Sequence, residues 1–351
     1  MSQRRKKRVT RILIPPMSAL AAVCLLPGAD TKRTAPDWAY GYLKPLSPGD
    51  TVGPPCPPAA KPYPDCAYVP APVPEDGVKR ELPGAAARYT RNEAYFDYGP
   101  ADWYPGDHPP MPEIVAKGKP AAGVRACALC HFPNGQGKME NGSVAGLPAA
   151  YFLQQLTAFT TGARRSADPR KANTNEMAQI ARLLTDEEAK AAANYFASMK
   201  WRPWVRVVET ETAPAVRSTT NGLFLPIAGA APIPLGQRII EVPENPERTD
   251  VMRDPRSGFI AYVPAGSIAR GEALAKTGGD KTKACITCHG QDLLGRGNVP
   301  GIAGRTTSYL MRQLWDIHQG TRKSQIMAPL VEKLEIEDMI DLVAYAASRM
   351  P

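Results

Sequence analysis

Cys285-Ile286-Thr287-Cys288-His289 decides the reading of this chain, and it has a second copy in Cys127-Ala128-Leu129-Cys130-His131. Two thiols three positions apart, followed at once by histidine, are the attachment signature of c-type haem. Each thiol adds to one vinyl group, and the imidazole is placed to ligate the iron. A thioredoxin-like redox pair needs no histidine there. An all-thiolate zinc cage built from both CxxC pairs would leave the matched flanking sequences unexplained. Two covalent haem c groups are therefore expected, on Cys127 and Cys130 and on Cys285 and Cys288, with His131 and His289 as axial iron ligands.

The flanks form an internal repeat. At an offset of 158, Ala145-Gly146 falls on Ala303-Gly304, Tyr151 on Tyr309, and Gln155-Leu156 on Gln313-Leu314. Gly162 and Arg164 likewise fall on Gly320 and Arg322. The offset then becomes 150, pairing Met177-Ala178 with Met327-Ala328, Glu187 with Glu337 and Tyr195 with Tyr345. One loop insertion between Gly162 and Met177 accounts for the change. Met177 and Met327 are the methionines that survive this alignment, each in a loop before the last helix of its copy. Thioether opposite histidine stabilises ferrous iron, so both are expected as sixth ligands. Met139 is the rival in the first copy, but its partner position is Gly297.

Tyr151 to Phe159 and Tyr309 to Ile317 carry helical spacing, with Gly162 and Gly320 as stops. Thr185-Asp186-Glu187-Glu188 is a capping box opening a helix to Met199, and Ser267 reads as the N-cap of another. Residues 201–263 have a different character, with strand-like runs at 204–210 and 238–242 separated by proline and glycine. No catalytic cluster stands out there, and so long a segment is expected to pack on one or both haem units.

The chain resembles class I cytochromes c, and within them the two-haem cytochrome c4-like group. The likeness rests on CALCH and CITCHG, the Tyr-x-x-x-Gln-Leu helix, Gly-x-Arg, the later methionine and the terminal helix with its tyrosine. It covers roughly residues 113–200 and 264–350. It implies a mainly α fold of two small haem-wrapping domains, 111–200 and 264–351, whereas the irregular, β-containing segment that joins them at 201–263 and the N-terminal arm lie outside the group's usual pattern. It also implies helix crossings of Gly118 with Tyr195 and of Gly271 with Tyr345. The family's histidine-orienting proline carbonyl is matched by Pro300, whereas Gly142 stands at that place in the first copy. Fourteen residues, 163–176, precede Met177 and only six, 321–326, precede Met327. The first site is thus expected to be held less firmly.

Residues 1–29 read as an export signal, with six basic residues ahead of an apolar run, Ile12 to Leu26, too short to span a bilayer comfortably. The formal charge of +9 falls to +3 without them, so the basic pI does not point to nucleic acid. Residues 30–110 are rich in proline and aromatics and read as an extended arm packed over the haem units. Export leaves Cys56 and Cys66 in an oxidising compartment, where a disulfide between them is expected.

These readings converge on a periplasmic carrier of single electrons, with no catalytic residues, and with membrane association open. The resemblance suggests a periplasmic dehydrogenase as donor and a terminal oxidase or another cytochrome as acceptor. One alternative is a two-haem enzyme of the peroxidase or thiosulfate dehydrogenase kind, with Cys56 or Cys66 as a thiolate ligand. Equivalent methionines weigh against it, because six-coordinate iron leaves substrate no site. The other is a dedicated cytochrome subunit of a dehydrogenase complex. His108 and His318 are read as loop and surface residues.

Overall fold

The computed structural model describes residues 35–44, 75–219 and 221–351. The leader and the Cys56–Cys66 pair lie outside them. Ahead of the first motif come α1 (Arg91–Ala94) and α2 (Glu113–Ala116). The first copy continues with α3 (Cys127–His131), α4 (Ala149–Thr160), α5 (Ala172–Leu183) and α6 (Asp186–Ala197). The second holds α7 (Ser267–Thr277), α8 (Ile286–His289), α9 (Thr307–His318), α10 (Ala328–Val331) and α11 (Ile336–Ser348). Both copies and the segment between them fall within one compact unit, Ala35–Pro351.

Local chemistry sets the helix ends. Thr185 Oγ1 accepts from the Glu188 amide at 3.3 Å while Glu188 Oε2 accepts from the Thr185 amide at 2.8 Å, the reciprocal box read from sequence. Three acidic residues in that first turn complement the helix dipole. The cap of α7 is Gly266 rather than Ser267, whose own hydroxyl accepts from Arg270 at 3.2 Å. The α7–α11 crossing needs Gly271: a Cβ there would sit 1.9 Å from the Asp341 carbonyl and 2.9 Å from Tyr345 Cβ. The expected counterpart at Gly118 is not a helix crossing. Its φ is +65°, and a Cβ would strike the Val124 carbonyl at 2.2 Å, so it closes a tight turn after the four-residue α2. Tyr195 instead donates to the Pro133 carbonyl at 2.7 Å.

Residues 201–263 hold more strand than the sequence showed: β1 (Val205–Glu209), β2 (Thr212–Ala213), β3 (Val216–Ser218), β4 (Phe224–Pro226), β5 (Ile233–Pro234), β6 (Ile240–Pro243) and β7 (Phe259–Val263). β7 lies between parallel β1 and antiparallel β6, with Val205 opposite Phe259 and Ile240 opposite Tyr262. Phe259, Ala261 and Val263 are buried and alternate with half-buried Ile260 and Tyr262, the period of two that a sheet face imposes. β2 pairs with β5 and β3 with β4.

This segment touches both copies. Trp204 Nε1 donates to the Gly137 carbonyl at 3.0 Å in the first, and Trp201 Nε1 to the Ala303 carbonyl at 3.0 Å in the second. Buried Glu241 accepts from the Thr307 and Ser308 amides, capping α9 from a distant strand. Residues 35–44 are inserted between α9 and the loop before α5. There Tyr40 donates to Asp316 at 2.6 Å, Ala39 accepts from Arg312 at 2.6 Å, and Asp37 pairs with Arg170 at 2.9 Å. Residues 75–110 reach the segment through Trp103, which donates to the Met252 carbonyl at 2.7 Å, and Asp107, which pairs with Arg256. They reach the first motif through the Asp97 carbonyl, which accepts from the Ala126 amide at 2.8 Å.

Candidate functional site

Each Cys-x-x-Cys-His opens onto its own cavity. Cys127, Cys130 and His131 line one, with Met177 from α5 and an apolar wall that includes Leu156, Phe159 and Phe196. Cys285, Cys288 and His289 line the other, with Met327 at the start of α10 and Leu310, Val331 and Leu334. Met139 is fully buried away from the first cavity, in the cluster of Phe132, Trp204 and Phe224. No group of three or more metal-holding side chains occurs among the described residues, so the two CxxC pairs do not form a zinc cage.

The histidines are oriented alike. His131 Nδ1 donates to the Gly142 carbonyl at 2.6 Å and His289 Nδ1 to the Pro300 carbonyl at 2.9 Å, an arrangement that leaves each Nε2 available to a metal. The acceptor is main chain, so Gly142 serves as well as proline. That corrects the doubt raised by the sequence. Gly142 also makes room: a Cβ there would approach Tyr309 Cε2 of the second copy at 3.2 Å. Burial pushes both imidazoles below their usual range, towards the neutral form a metal requires. The Cys127 thiol is pushed up by burial to about 12.

The cavities share a wall built from repeat-related residues. Arg164 donates to Gln155 Oε1 at 3.0 Å and to Gln313 Oε1 at 2.9 Å, and its counterpart Arg322 donates to the same two oxygens at 3.0 and 2.9 Å. Arg322 reaches Tyr151 at 2.7 Å and Arg164 reaches Tyr309 at 3.3 Å. Main-chain bonds from Arg165 to Thr321 and from Lys323 to Ala163 tie the two loops. Tyr151, Gln155, Tyr309 and Gln313 line both cavities. The alignment showed that these residues correspond. It did not show that they touch, because nothing in a repeat says how its copies face each other.

Four arginines on these walls have no carboxylate within 4.0 Å among the described residues: Arg164 and Arg312 in the first cavity, which Glu140, Glu176 and Asp316 also line, and Arg305 and Arg322 in the second, which no described carboxylate lines. Burial drags the Arg305 guanidinium down to about 10 and lowers Arg312 as well. Buried charge is ordinarily paired. Haem brings two propionate carboxylates, so two unpaired arginines per cavity, an apolar wall, two thiols and an oriented imidazole fit it.

Among the remaining histidines, His108 lines neither cavity and contacts Asp102 at 3.1 Å, while His318 stacks on Trp315.

A thiol pair with an oriented imidazole, on a short helix facing an apolar cavity, defines a protein with covalently held haem. Comparison with known proteins gives the family: the cytochrome c profile matches residues 115–200. Cytochrome c-554(548) of Halomonas halodenitrificans is 33% identical over 79 residues, which are 21% of this chain and 95% of that protein. The chain belongs to the cytochrome c family, with its covalent haem, iron and electron-transfer chemistry. It is also similar to cytochrome c4 of Pseudomonas aeruginosa, 38% identical over 86 residues, 24% of this chain and 39% of that one. The thiosulfate dehydrogenase electron acceptor of Stutzerimonas stutzeri is 37% identical over 103 residues, 28% of this chain and 47% of that one. The matches thus span less than half the length of these last two relatives. No helix among the described residues is long and apolar enough to cross a membrane.

Proposed function

We propose that this protein is a periplasmic two-haem electron carrier organised as two cytochrome c domains, 111–200 and 264–351. Cys127 and Cys130, and Cys285 and Cys288, hold the haems. His131 with Met177 and His289 with Met327 are the axial pairs. Haem supplies the one-electron iron couple. The residues orient the imidazoles, exclude water with apolar walls, and neutralise carboxylates with Arg164, Arg305, Arg312 and Arg322. The observation that supports the reading most is the wall common to both cavities, lined on both sides by Tyr151, Gln155, Tyr309 and Gln313. A methionine at each cavity favours a carrier over an enzyme with open iron. The relative named as an electron acceptor of thiosulfate dehydrogenase makes that class of dehydrogenase the donor to try first. An oxidase or another cytochrome is the downstream acceptor.

The test is haem content after acid-acetone extraction of exported protein. Two haems per chain are expected, and one after Cys285 and Cys288 are both changed to alanine. A haem-free chain that binds zinc would reject the reading.

A further inference from the structure

The two motifs meet solvent differently, and residues at matched positions make the difference. Arg125 and Lys283 occupy one position of the repeat, and Glu176 and Ile326 another. In the first copy Arg125 Nε donates to Glu176 Oε1 at 2.6 Å and Nη1 lies 3.5 Å from Asp97, so an ion pair and the preceding segment close the mouth beside Cys130. In the second copy Lys283 is exposed and pairs with no carboxylate among the described residues. Ile326 is 73% exposed, the most of any large apolar side chain described, and Cys288 is exposed too. Lys323 is a second exposed, unpaired lysine on that rim, and no described carboxylate lines the cavity.

We propose that the second site is the single face at which this protein exchanges electrons with other molecules, and that it docks a redox protein presenting carboxylates around an apolar centre. The inference rests on the electron-carrier reading above. Redox encounters use small interfaces, so one apolar contact and a few charges are enough to form one. Unpaired lysines steer an acidic partner and reject a basic one, and Ile326 supplies the apolar contact. The covered first site communicates through the shared wall.

The probe is hexacyanochromate(III), a redox-inert trianion whose paramagnetism broadens nearby amide signals. On protein shown to carry both haems, broadening is expected at residues 283–289 and 323–327. Residues 125–131 and 174–177 should stay sharp. The double variant Lys283→Glu, Lys323→Glu should abolish the broadening. Its oxidation by ferricyanide at low ionic strength should slow roughly tenfold for the whole haem absorbance. Equal broadening at both motifs would overturn the single face, as would half of the absorbance oxidising at the parent rate. A dimer in sedimentation that Ile326→Glu dissociates would give the face to a second copy and overturn the partner. Missing haem would strike instead at the electron-carrier reading.

Discussion

Residues 131–140 and 289–298 occupy the same place in the two copies, yet nine of the first ten are buried and only two of the second. The copies share attachment motif, histidine acceptor and helix order, so the repeat itself does not set exposure. The segments outside it do. Trp204 and Phe259 from the connecting segment pack over the first motif, with Asp97 and Tyr95 from the preceding segment. The residue after the histidine records the difference. Gly290 has φ of +85°, which glycine adopts freely, whereas Phe132 holds +62° at a strain of about 1–3 kcal/mol. Phe132 is held there by burial, with its ring edge-on to Trp204 at 6.4 Å and Arg253 over its face. A fold that repeats its chemistry twice thus gives the two sites different access by what it adds around them.

The largest expected break in that comparison comes from the cover. Trp204→Ala removes a buried ring and the bond to the Gly137 carbonyl, and leaves Phe132 strained without its neighbour. It should cost ~3–5 kcal/mol in denaturant titration, and residues 132–140 should lose hydrogen-exchange protection. Ile326→Ala, on the open site, should change stability by about 0.5 kcal/mol or less. Similar costs for the two would mean the cover contributes nothing that the exposed site lacks.

A smaller effect separates the methionines. Sequence spacing led to the expectation that the first iron loses its methionine more easily, because its loop is longer and lacks the proline. The structure removes both reasons. Gly142 supplies the carbonyl, and the loop is anchored by Arg164, by Arg170 on Asp37 and by Lys171, whose amine donates to the Asn221 carbonyl at 2.9 Å. Met177 lies inside twelve-residue α5, whereas Met327 precedes the four-residue α10 on an exposed rim. The methionine-to-iron charge-transfer band should fall by about half in Met177→Ala and in Met327→Ala if the irons absorb alike. In a denaturant titration, the half left in Met177→Ala should fade first. The opposite order would restore the loop-length argument.

The motifs that line the two cavities were legible because a fixed local spacing of two cysteines and a histidine occurs twice, with matched flanks. The helices were legible from caps and period: Thr185 and Glu188 announce α6, and Tyr151 to Phe159 announce α4. Most of the strands were not. β2, β3, β4 and β5 have three residues or fewer, too short to show alternation, and exist only through partners elsewhere in the chain. The arginine wall was half legible, as a correspondence without a contact. The closure of the first site was hidden because Arg125, Glu176 and Asp97 are far apart in sequence, and only folding brings them together.

The smallest effect is a pH dependence confined to the covered copy. His108 lies in the segment that packs on the first domain, its side chain 4% exposed, with its ring edge-on to Tyr195 at 6.2 Å. Burial alone would lower its pKa, but hydrogen bonds to Asp102 and the Pro109 carbonyl and the charges of Asp102 and Asp107 outweigh it. The folded value stands above the ordinary 6.5. A histidine raised on folding contributes stability that is complete below its unfolded pKa and is lost as pH rises through the folded one. The second copy has no counterpart, since His318 stacks on Trp315 at the end of α9 and burial pushes His289 down rather than up. Melting temperature should therefore fall by about 1–3 °C more in the parent than in His108→Gln as pH rises from 6 to 8.5. Both proteins lose the same contributions from every other group over that range, so the difference between the two curves isolates His108. Coincident curves would show that its ion pair with Asp102 does not hold the cover in place.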